Sequence, residues 1–305
     1  MRVIPFICAV LVAGLALGAE KKEPTAGEVA KMRAAAPERA RVAAERPRKV
    51  LIFSVSWGYW HDSIPYGKRV FEILGKKTGA FETVASDDPA MFEPQKLRQF
   101  DAVIFNNANN EIFLPEDFDK LSTGEKAKAA ARDEMLKKSF VEWLSSGKGL
   151  VVIHAGVASF RKWPEYGNIV GARFDNHPWG SGSTVTLKVD EPNHPLAAAF
   201  TSPTFAIRDE IYQMTGPYSR EKLRVILSID TAKTNMKRAG VHRTDGDFAM
   251  SWIKMYGKGR VFYNALGHDH DIFWNPVVLQ HWLDGIQFAT GDLKADATPS
   301  DKAGK

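Results

Sequence analysis

The sequence Leu150-Val151-Val152-Ile153-His154-Ala155-Gly156 joins an apolar run of strand length directly to a histidine. Two upstream runs have the same form, KVLIFS at residues 49–54 and DAVIFN at residues 101–106, and each leads into a polar loop. Helical patterns lie between the runs, at residues 66–77 and 116–145. Apolar runs without alternation are typical of parallel strands that helices cover on both faces. The repeated order of strand, helix and strand therefore predicts a doubly wound, mostly parallel α/β sheet of the flavodoxin-like type.

The second half of the chain has a stronger β pattern and no linker or internal repeat in front of it. Its predicted strands span residues 184–189, 205–213, 224–228, 248–255 and 260–265, and an amphipathic helix follows at 276–289. We therefore predict one α/β domain over residues 49–291, in which the later strands extend the first sheet. Residues 20–48 and 292–305 hold few large apolar side chains, which predicts a flexible leader and a disordered tail.

The first residues of the chain have the form of a secretory signal peptide. Arg2 precedes an apolar run at residues 3–17, and the small residues Gly18 and Ala19 follow. This pattern predicts a signal peptide over residues 1–19 and a periplasmic or secreted protein, with a retained N-terminal anchor as the alternative. Cys8 is the only cysteine and lies inside this segment. Signal removal would leave no integral membrane segment, disulfide, cysteine-ligated zinc or thiol nucleophile.

The basic charge of the chain is confined to its N-terminal part. Residues 1–49 hold ten lysines and arginines against five acidic residues, which leaves 31 of each charge in residues 50–305. A nucleic-acid partner requires basic residues clustered on a folded face. The predicted domain is neutral, so the sequence argues against nucleic-acid binding.

Histidines follow several of the predicted strands. His61 lies in the loop after the first strand, His154 follows the fourth, and His268 follows the last, while the third leads into Asn107. Ligands of doubly wound sheets bind beyond the carboxyl ends of the strands. One histidine at a strand end is readily structural, but three at the same edge predict a common site.

Other polar residues have two interpretations each. Glu210 and Asp209 interrupt the predicted strand 205–213, so Glu210 either faces water or meets a cation. Asp62 either orients His61 or caps the following helix. His177 lies in a glycine-rich loop, where it either helps to form a turn or belongs to the site. Three further histidines are predicted to be structural or outside the site: His194, His242 and His281.

The order of these motifs resembles that of a known family. The motifs are HDSI at 61–64, IHAG at 153–156, WPEYG at 163–167, HP at 177–178, NHP at 193–195, DEIY at 209–212 and LGH at 266–268. Over about residues 49–291 the chain resembles the ThuA-like (trehalose-utilisation) domains of the class I glutamine amidotransferase-like superfamily. It departs from their pattern at residues 247–252, where a His-Pro pair is often found.

The resemblance implies a function in carbohydrate catabolism and is compatible with a bound divalent metal. The family-matching polar residues are His61, His154, His177, Glu210 and His268. Amidotransferases of this fold place a catalytic cysteine where this chain has His154, and an imidazole cannot form their thioester. Glutamine hydrolysis by that route is therefore excluded.

Two functions remain open on the sequence. The first is an enzyme that acts on a disaccharide, glycoside or 3-keto sugar as a hydrolase, lyase or isomerase. In it, catalysis is expected from His154, Glu210 and His61, and a divalent metal, with zinc favoured, is expected on His61, His154, His177 and His268. Substrate contacts are expected from Trp57, Asp62, Asn107, Trp163 and Tyr166. The alternative is a non-catalytic carbohydrate-binding envelope protein with the same fold.

Overall fold

The computed structural model describes residues 22–303 of the chain. Its helices are α1 (Ala26–Ala35), α2 (Ile64–Thr78), α3 (Pro94–Leu97), α4 (Thr123–Ser145), α5 (Pro164–Val170) and α6 (Pro276–Thr290). Its strands are β1 (Lys49–Phe53), β2 (Glu82–Ala85), β3 (Ala102–Asn106), β4 (Gly149–Ile153), β5 (Arg173–Trp179), β6 (Thr184–Val189), β7 (Thr204–Arg208), β8 (Ile211–Thr215), β9 (Arg224–Ile229), β10 (Ala249–Tyr256) and β11 (Gly259–Asn264).

Nine strands form one mixed sheet in the order β2-β1-β3-β4-β11-β10-β9-β6-β7. The first five strands in this order are parallel, and the remaining pairings are antiparallel. The predicted single α/β domain, with later strands extending the first sheet, is confirmed. One detail is wrong, because the predicted strand 205–213 is two strands. The chain breaks after β7, and β8 pairs with β5 in a separate two-stranded sheet.

Neighbouring residues of β3 show why helices are needed on both faces of the sheet. The Phe105 ring lies 5.7 Å from that of Phe140 on α4. The next side chain, Asn106, donates a hydrogen bond to the carbonyl of Ile64 at the start of α2. Successive strand residues point to opposite faces, so α4 and α2 cover opposite sides. Every residue of β3 and β4 is buried as a result.

The segments before and after the predicted domain differ from the expectation of a flexible leader and a disordered tail. Residues 26–35 form α1, which begins with a capping box between Thr25 and Glu28. Met32 on this helix is fully buried in the core. In the tail, Leu293 is buried and Ser300 accepts a hydrogen bond from the backbone of β9. Both segments consist mostly of small and polar residues, and they pack on the domain through a few side chains such as Met32 and Leu293.

The predicted signal peptide lies outside the described residues. Among the helices within residues 22–303, none combines the length and the apolar character that a bilayer span requires.

His281 on α6 is a packing residue, as the sequence predicts. Its ring is buried, Nδ1 donates to the carbonyl of Leu196, and Nε2 lies 2.8 Å from the hydroxyl of Ser251. Burial lowers the pKa of His281 from 6.5 to about 4. The folded protein therefore holds this imidazole neutral over a pH range in which the unfolded chain protonates it.

We expect acid to destabilise the protein through His281. Because the folded-state pKa is the lower one, the unfolded state takes up the proton first, and the free energy of unfolding falls as the pH drops from 6.5 to about 4. The full contribution is about 3 kcal/mol. Urea denaturation between pH 7 and pH 4.5 should show a shallower loss for His281→Gln than for the unaltered protein. Equal losses in the two proteins would contradict this account.

Candidate functional site

Three histidines meet beyond the carboxyl ends of the parallel strands. His61 follows β1, His154 follows β4 and His268 follows β11. Their ring centroids are 5.4 to 5.5 Å apart in all three pairs. His61 and His154 are buried, and His268 is partly exposed. The structure thus brings together side chains that are more than 90 residues apart in sequence.

The end of β4 fixes His154 in one orientation. Its φ of 46° lies in the left-handed region, which non-glycine residues adopt only at a cost of roughly 1 kcal/mol. Nδ1 lies 2.6 Å from the carbonyl oxygen of Ala265, which can only accept, so Nδ1 carries the proton. Burial lowers the pKa of His154, and the ring is therefore neutral. The lone pair of Nε2 is left facing the site.

Glu210 lies in the break between β7 and β8 and is the carboxylate that the histidines surround. One of its oxygens is 3.3 Å from Nε2 of His154 and 3.8 Å from Nε2 of His268. The other is 3.4 Å from Nδ1 of His177, which stands at the exposed mouth of the cluster. Burial acts to raise the pKa of Glu210, but the interactions with the surrounding histidines lower it by more than burial raises it. The side chain is therefore ionised. We call these five residues the histidine cluster: His61, His154, His177, Glu210 and His268.

Asp209, the neighbour of Glu210, holds the loop that carries His268. Its fully buried carboxyl group accepts hydrogen bonds from the backbone N–H groups of Gly267, His268 and Asp269 at 2.7, 3.1 and 2.7 Å. Burial raises the pKa of Asp209 to about 8, against the effect of these donors. Asp209 accepts all of its hydrogen bonds from the loop, and accepting hydrogen bonds favours the ionised carboxylate over the protonated carboxyl group. Of the two adjacent acids, Glu210 thus contacts the histidines and Asp209 holds the loop that carries His268.

His61 completes the cluster on the side of β1. Burial, with the nearby imidazoles of His154 and His268, lowers the pKa of His61 to about 2. Its Nε2 lies 3.5 Å from the hydroxyl of Tyr212. Its Nδ1 is buried and has no hydrogen-bond partner within residues 22–303. His61 is therefore a neutral imidazole, and one of its two ring nitrogens carries a lone pair.

The donor set fits a divalent metal. His61, Glu210 and His268 each offer one ligand atom, and these atoms lie within 4.8 Å of one another. Two neutral imidazoles and a carboxylate are ligands that suit zinc. A second group, formed by Asp209, His268 and Asp269, has the same spacing. The oxygens of Asp209 already accept three backbone N–H bonds, so the first group is the better candidate.

An open cleft of about 500 Å³ adjoins the cluster through His268. Its lining is polar and aromatic, and comprises Tyr59, Asp62, Ser181, Arg208, His268, Asp269, His270, Asp271 and Trp274. A larger cavity of about 660 Å³ lies at the opposite edge of the sheet, between residues 40–48 and residues 75–82. Its lining includes no histidine, so we place the functional site at the smaller cleft.

Helix α1 supports one wall of this cleft. The Glu28 carboxylate accepts a hydrogen bond of 2.9 Å from the hydroxyl of Tyr66. The Tyr66 ring stacks on His270 at a centroid distance of 3.9 Å. The ammonium group of Lys31 lies 4.9 Å from the ring centroid of Trp274. Both His270 and Trp274 line the cleft, so the wall depends on contacts from outside residues 49–291.

The residues predicted to contact substrate have different positions. Asp62 is exposed and lines the cleft, and it neither caps α2 nor bonds to His61 in the described chain. Asn107 is fully buried and joins the loops by bonds to Ser63, Ala155 and Gly267. Both of its amide hydrogens are used in these bonds, and Asn107 does not line the cleft.

The predicted aromatic contacts also lie away from the cleft. Tyr166 is buried, its hydroxyl donates to the carbonyl of Gly156, and it does not line the cleft. Trp163 is partly buried against Phe160, and Trp57 donates from its indole to the carbonyl of Leu114. Neither tryptophan lines the cleft.

Sequence reasoning missed two tyrosines of the site. The ring of Tyr212 lies 4.2 Å from that of His154, and its position two residues after Glu210 is the available signal, since alternate strand residues share a face. Tyr59 is 62% exposed and packs edge-on against His61 at 4.7 Å. It lies two residues before His61 in the loop after β1, and that proximity is its only signal.

Comparison with known proteins gives a family match and a set of similar folds. The family model ThuA, described as trehalose utilisation, matches residues 49–289. No curated protein matches the chain. The structure of a ThuA-like protein from Bacteroides uniformis is 20% identical, with a TM-score of 0.59 over 80% of this chain and 93% of that one. A ThuA-like protein from Parabacteroides merdae is 17% identical, with a TM-score of 0.51 over 84% of this chain and 94% of that one. At these identities the likeness shows the fold.

Proposed function

This chain belongs to the ThuA (trehalose utilisation) family, and from that premise we propose that it is a metal-assisted enzyme of carbohydrate catabolism. Its substrate is a disaccharide, glycoside or 3-keto sugar, and its reaction is that of a hydrolase, lyase or isomerase. The proposed metal is zinc, held by His61, His154, His268 and Glu210, with His177 at the mouth. The proposed location is the periplasm or the exterior, after removal of residues 1–19.

One observation carries the proposal. With the proton of His154 on Nδ1, the lone pair of Nε2 faces the ionised Glu210 carboxylate across 3.3 Å. At this distance the two atoms repel each other unless a proton on Nε2 or a bound cation lies between them, and burial, which lowers the pKa of His154, disfavours the proton. The buried Nδ1 of His61 likewise has no hydrogen-bond partner in the described part of the chain. A divalent cation bound between Nε2 of His154 and the Glu210 carboxylate would remove this repulsion.

The chain's own residues supply the remaining chemistry. A bound zinc ion would polarise a carbonyl group or activate water. Glu210 is placed to accept a proton, because it is ionised and reaches the open mouth beside His177. In the cleft, the carboxylates of Asp62 and Asp271 can accept hydrogen bonds from sugar hydroxyl groups. The rings of Tyr59 and Trp274 offer flat apolar faces to a sugar ring.

Elemental analysis and a turnover assay test the proposal together. We expect about one zinc per chain in the native protein and turnover within a panel of disaccharides and 3-keto-glucosides. His154→Ala should lose both the metal and the activity, while His242→Ala, a change at a histidine outside the cluster, should lose neither. Sugar binding by calorimetry without turnover would instead support the non-catalytic binding protein. A metal-free protein with an active His154→Ala variant would refute the mechanism.

A further inference from the structure

A third cavity, of about 260 Å³, lies on the flank of the domain and shares no residue with the histidine cluster. It is formed where the chain after β4 meets the two-stranded sheet of β5 and β8. Its lining is Val157, Ala158, Ser159, Phe160, Arg161, Tyr166, Arg173, Phe174, Asp175 and Thr215. We call it the flank pocket.

Two donors of the flank pocket make no hydrogen bond of normal length in the described part of the chain. The side-chain hydroxyl of Ser159 is buried, with the residue 2% exposed, and although it interacts with the hydroxyl of Tyr166, it makes no hydrogen bond of normal length within residues 22–303. Nη2 of Arg173 is also buried and unpartnered in the same part of the chain, whereas its Nη1 donates to the carbonyl of Arg161. Buried donors are nearly always satisfied in folded proteins, so this pair indicates a missing acceptor.

The charges of the flank pocket favour an anion. Arg161 is exposed, and its guanidinium lies 5.6 Å from the ring centroid of Phe174. Neither Arg161 nor Arg173 has an acidic partner among the described residues. The one acid in the lining, Asp175, is engaged by His242 at 2.6 Å and by the amide of Gln213 at 3.0 Å. Two arginines without an acidic partner among the described residues therefore line a pocket whose carboxylate is already bound.

We propose that the flank pocket binds the oxyanion group of a small molecule, either a phosphate or a carboxylate. Guanidinium groups bind both through charge-assisted hydrogen bonds, and a hydroxyl donor beside them adds a third contact. The volume admits the anionic group with a few attached atoms. This site is independent of the proposed metal centre, because it requires neither a metal nor a residue of the histidine cluster.

Calorimetric titration of the full chain tests the flank pocket with two probes, inorganic phosphate and glucuronate. We expect at least one of them to bind, and the one that binds more tightly identifies the anion. Arg173→Gln and Arg161→Gln should each weaken that binding by about 10-fold or more, since each removes a charge-assisted contact. Ser159→Ala should weaken it by about fivefold.

Controls separate this site from the rest of the protein. Arg132→Gln changes an arginine of α4 outside the pocket lining and should leave the affinity unchanged. His154→Ala should also leave it unchanged, so failure of the metal mechanism would not affect the result. Arg161 is exposed, so its variant should fold normally even if Arg173→Gln does not. The absence of binding by both probes, or equal affinity in Arg161→Gln, would overturn the proposal.

Discussion

Replacing Glu210 with glutamine is expected to lower kcat/KM for the carbohydrate substrate by about 100-fold to 10,000-fold, the range typical of a lost general base. The amide keeps the size of the side chain but removes its charge and its capacity to accept a proton. The three imidazoles that contact Glu210 would also lose the one anion of the histidine cluster. We therefore expect the zinc content to fall with the activity, by elemental analysis of the same preparation.

The matched control is Glu72→Gln, because Glu72 lies on the surface of α2. It should match the unaltered protein in metal content, activity and unfolding. Glu210→Gln should unfold in urea at a concentration close to that of the control, which separates a chemical defect from a folding defect. A Glu210→Gln protein that retains both zinc and turnover would contradict the role given to this carboxylate.

Removing one partner of the ion pair between Arg48 and Asp292 is expected to cost about 3–5 kcal/mol of unfolding free energy. Arg48 contacts Asp292 through Nε at 2.9 Å and Nη2 at 2.5 Å, and the two side chains are 7% and 1% exposed. Burial acts to raise the pKa of Asp292, but the bond from Arg48 and the other donors lower it, so the carboxylate is ionised. Arg48→Met would leave the Asp292 carboxylate buried without its ion-pair partner, and Asp292→Leu would leave the buried Arg48 with the exposed Glu45 carboxylate at 3.8 Å.

Urea denaturation at pH 7 measures this cost in Arg48→Met, Asp292→Leu and the double variant. The double variant should recover much of the loss, because two apolar side chains can replace a buried ion pair. Lys68→Met, which breaks the more exposed pair with Asp87, should change stability by less than about 1 kcal/mol. Single variants as stable as this control would show that the buried pair contributes little.

The same ion pair explains why the ends of the domain were not predicted. Arg48 lies in the predicted flexible leader and Asp292 in the predicted disordered tail, so the predicted boundaries at 49 and 291 leave both partners outside the domain. The partners are 244 residues apart, and neither segment has the apolar content from which a packed element is predicted. A lone buried side chain such as Met32 has no periodicity to reveal it.

The sheet and the histidine cluster were more accessible to sequence reasoning. Continuous apolar runs identified β1, β3 and β4. Because the carboxyl ends of parallel strands meet at one edge of the sheet, the loops after β1 and β4 then placed His61 and His154 at that edge. The sequence did not reveal which polar side chains are already bound to other parts of the protein. The sequence suggests that Asn107 binds a ligand, but its side-chain amide joins three loops. One of its hydrogen bonds goes to the carbonyl of Gly267, which is 160 residues away in sequence.

Because α1 supports His270 and Trp274, part of the cleft wall depends on a segment upstream of the family-matching residues 49–289. Relatives with the same five cluster residues but a different upstream helix would keep the reactive groups and reshape the entrance. The shape of the cleft can therefore diverge among such proteins without any change in the shared core. An alignment restricted to the common domain would group together proteins whose clefts differ in shape.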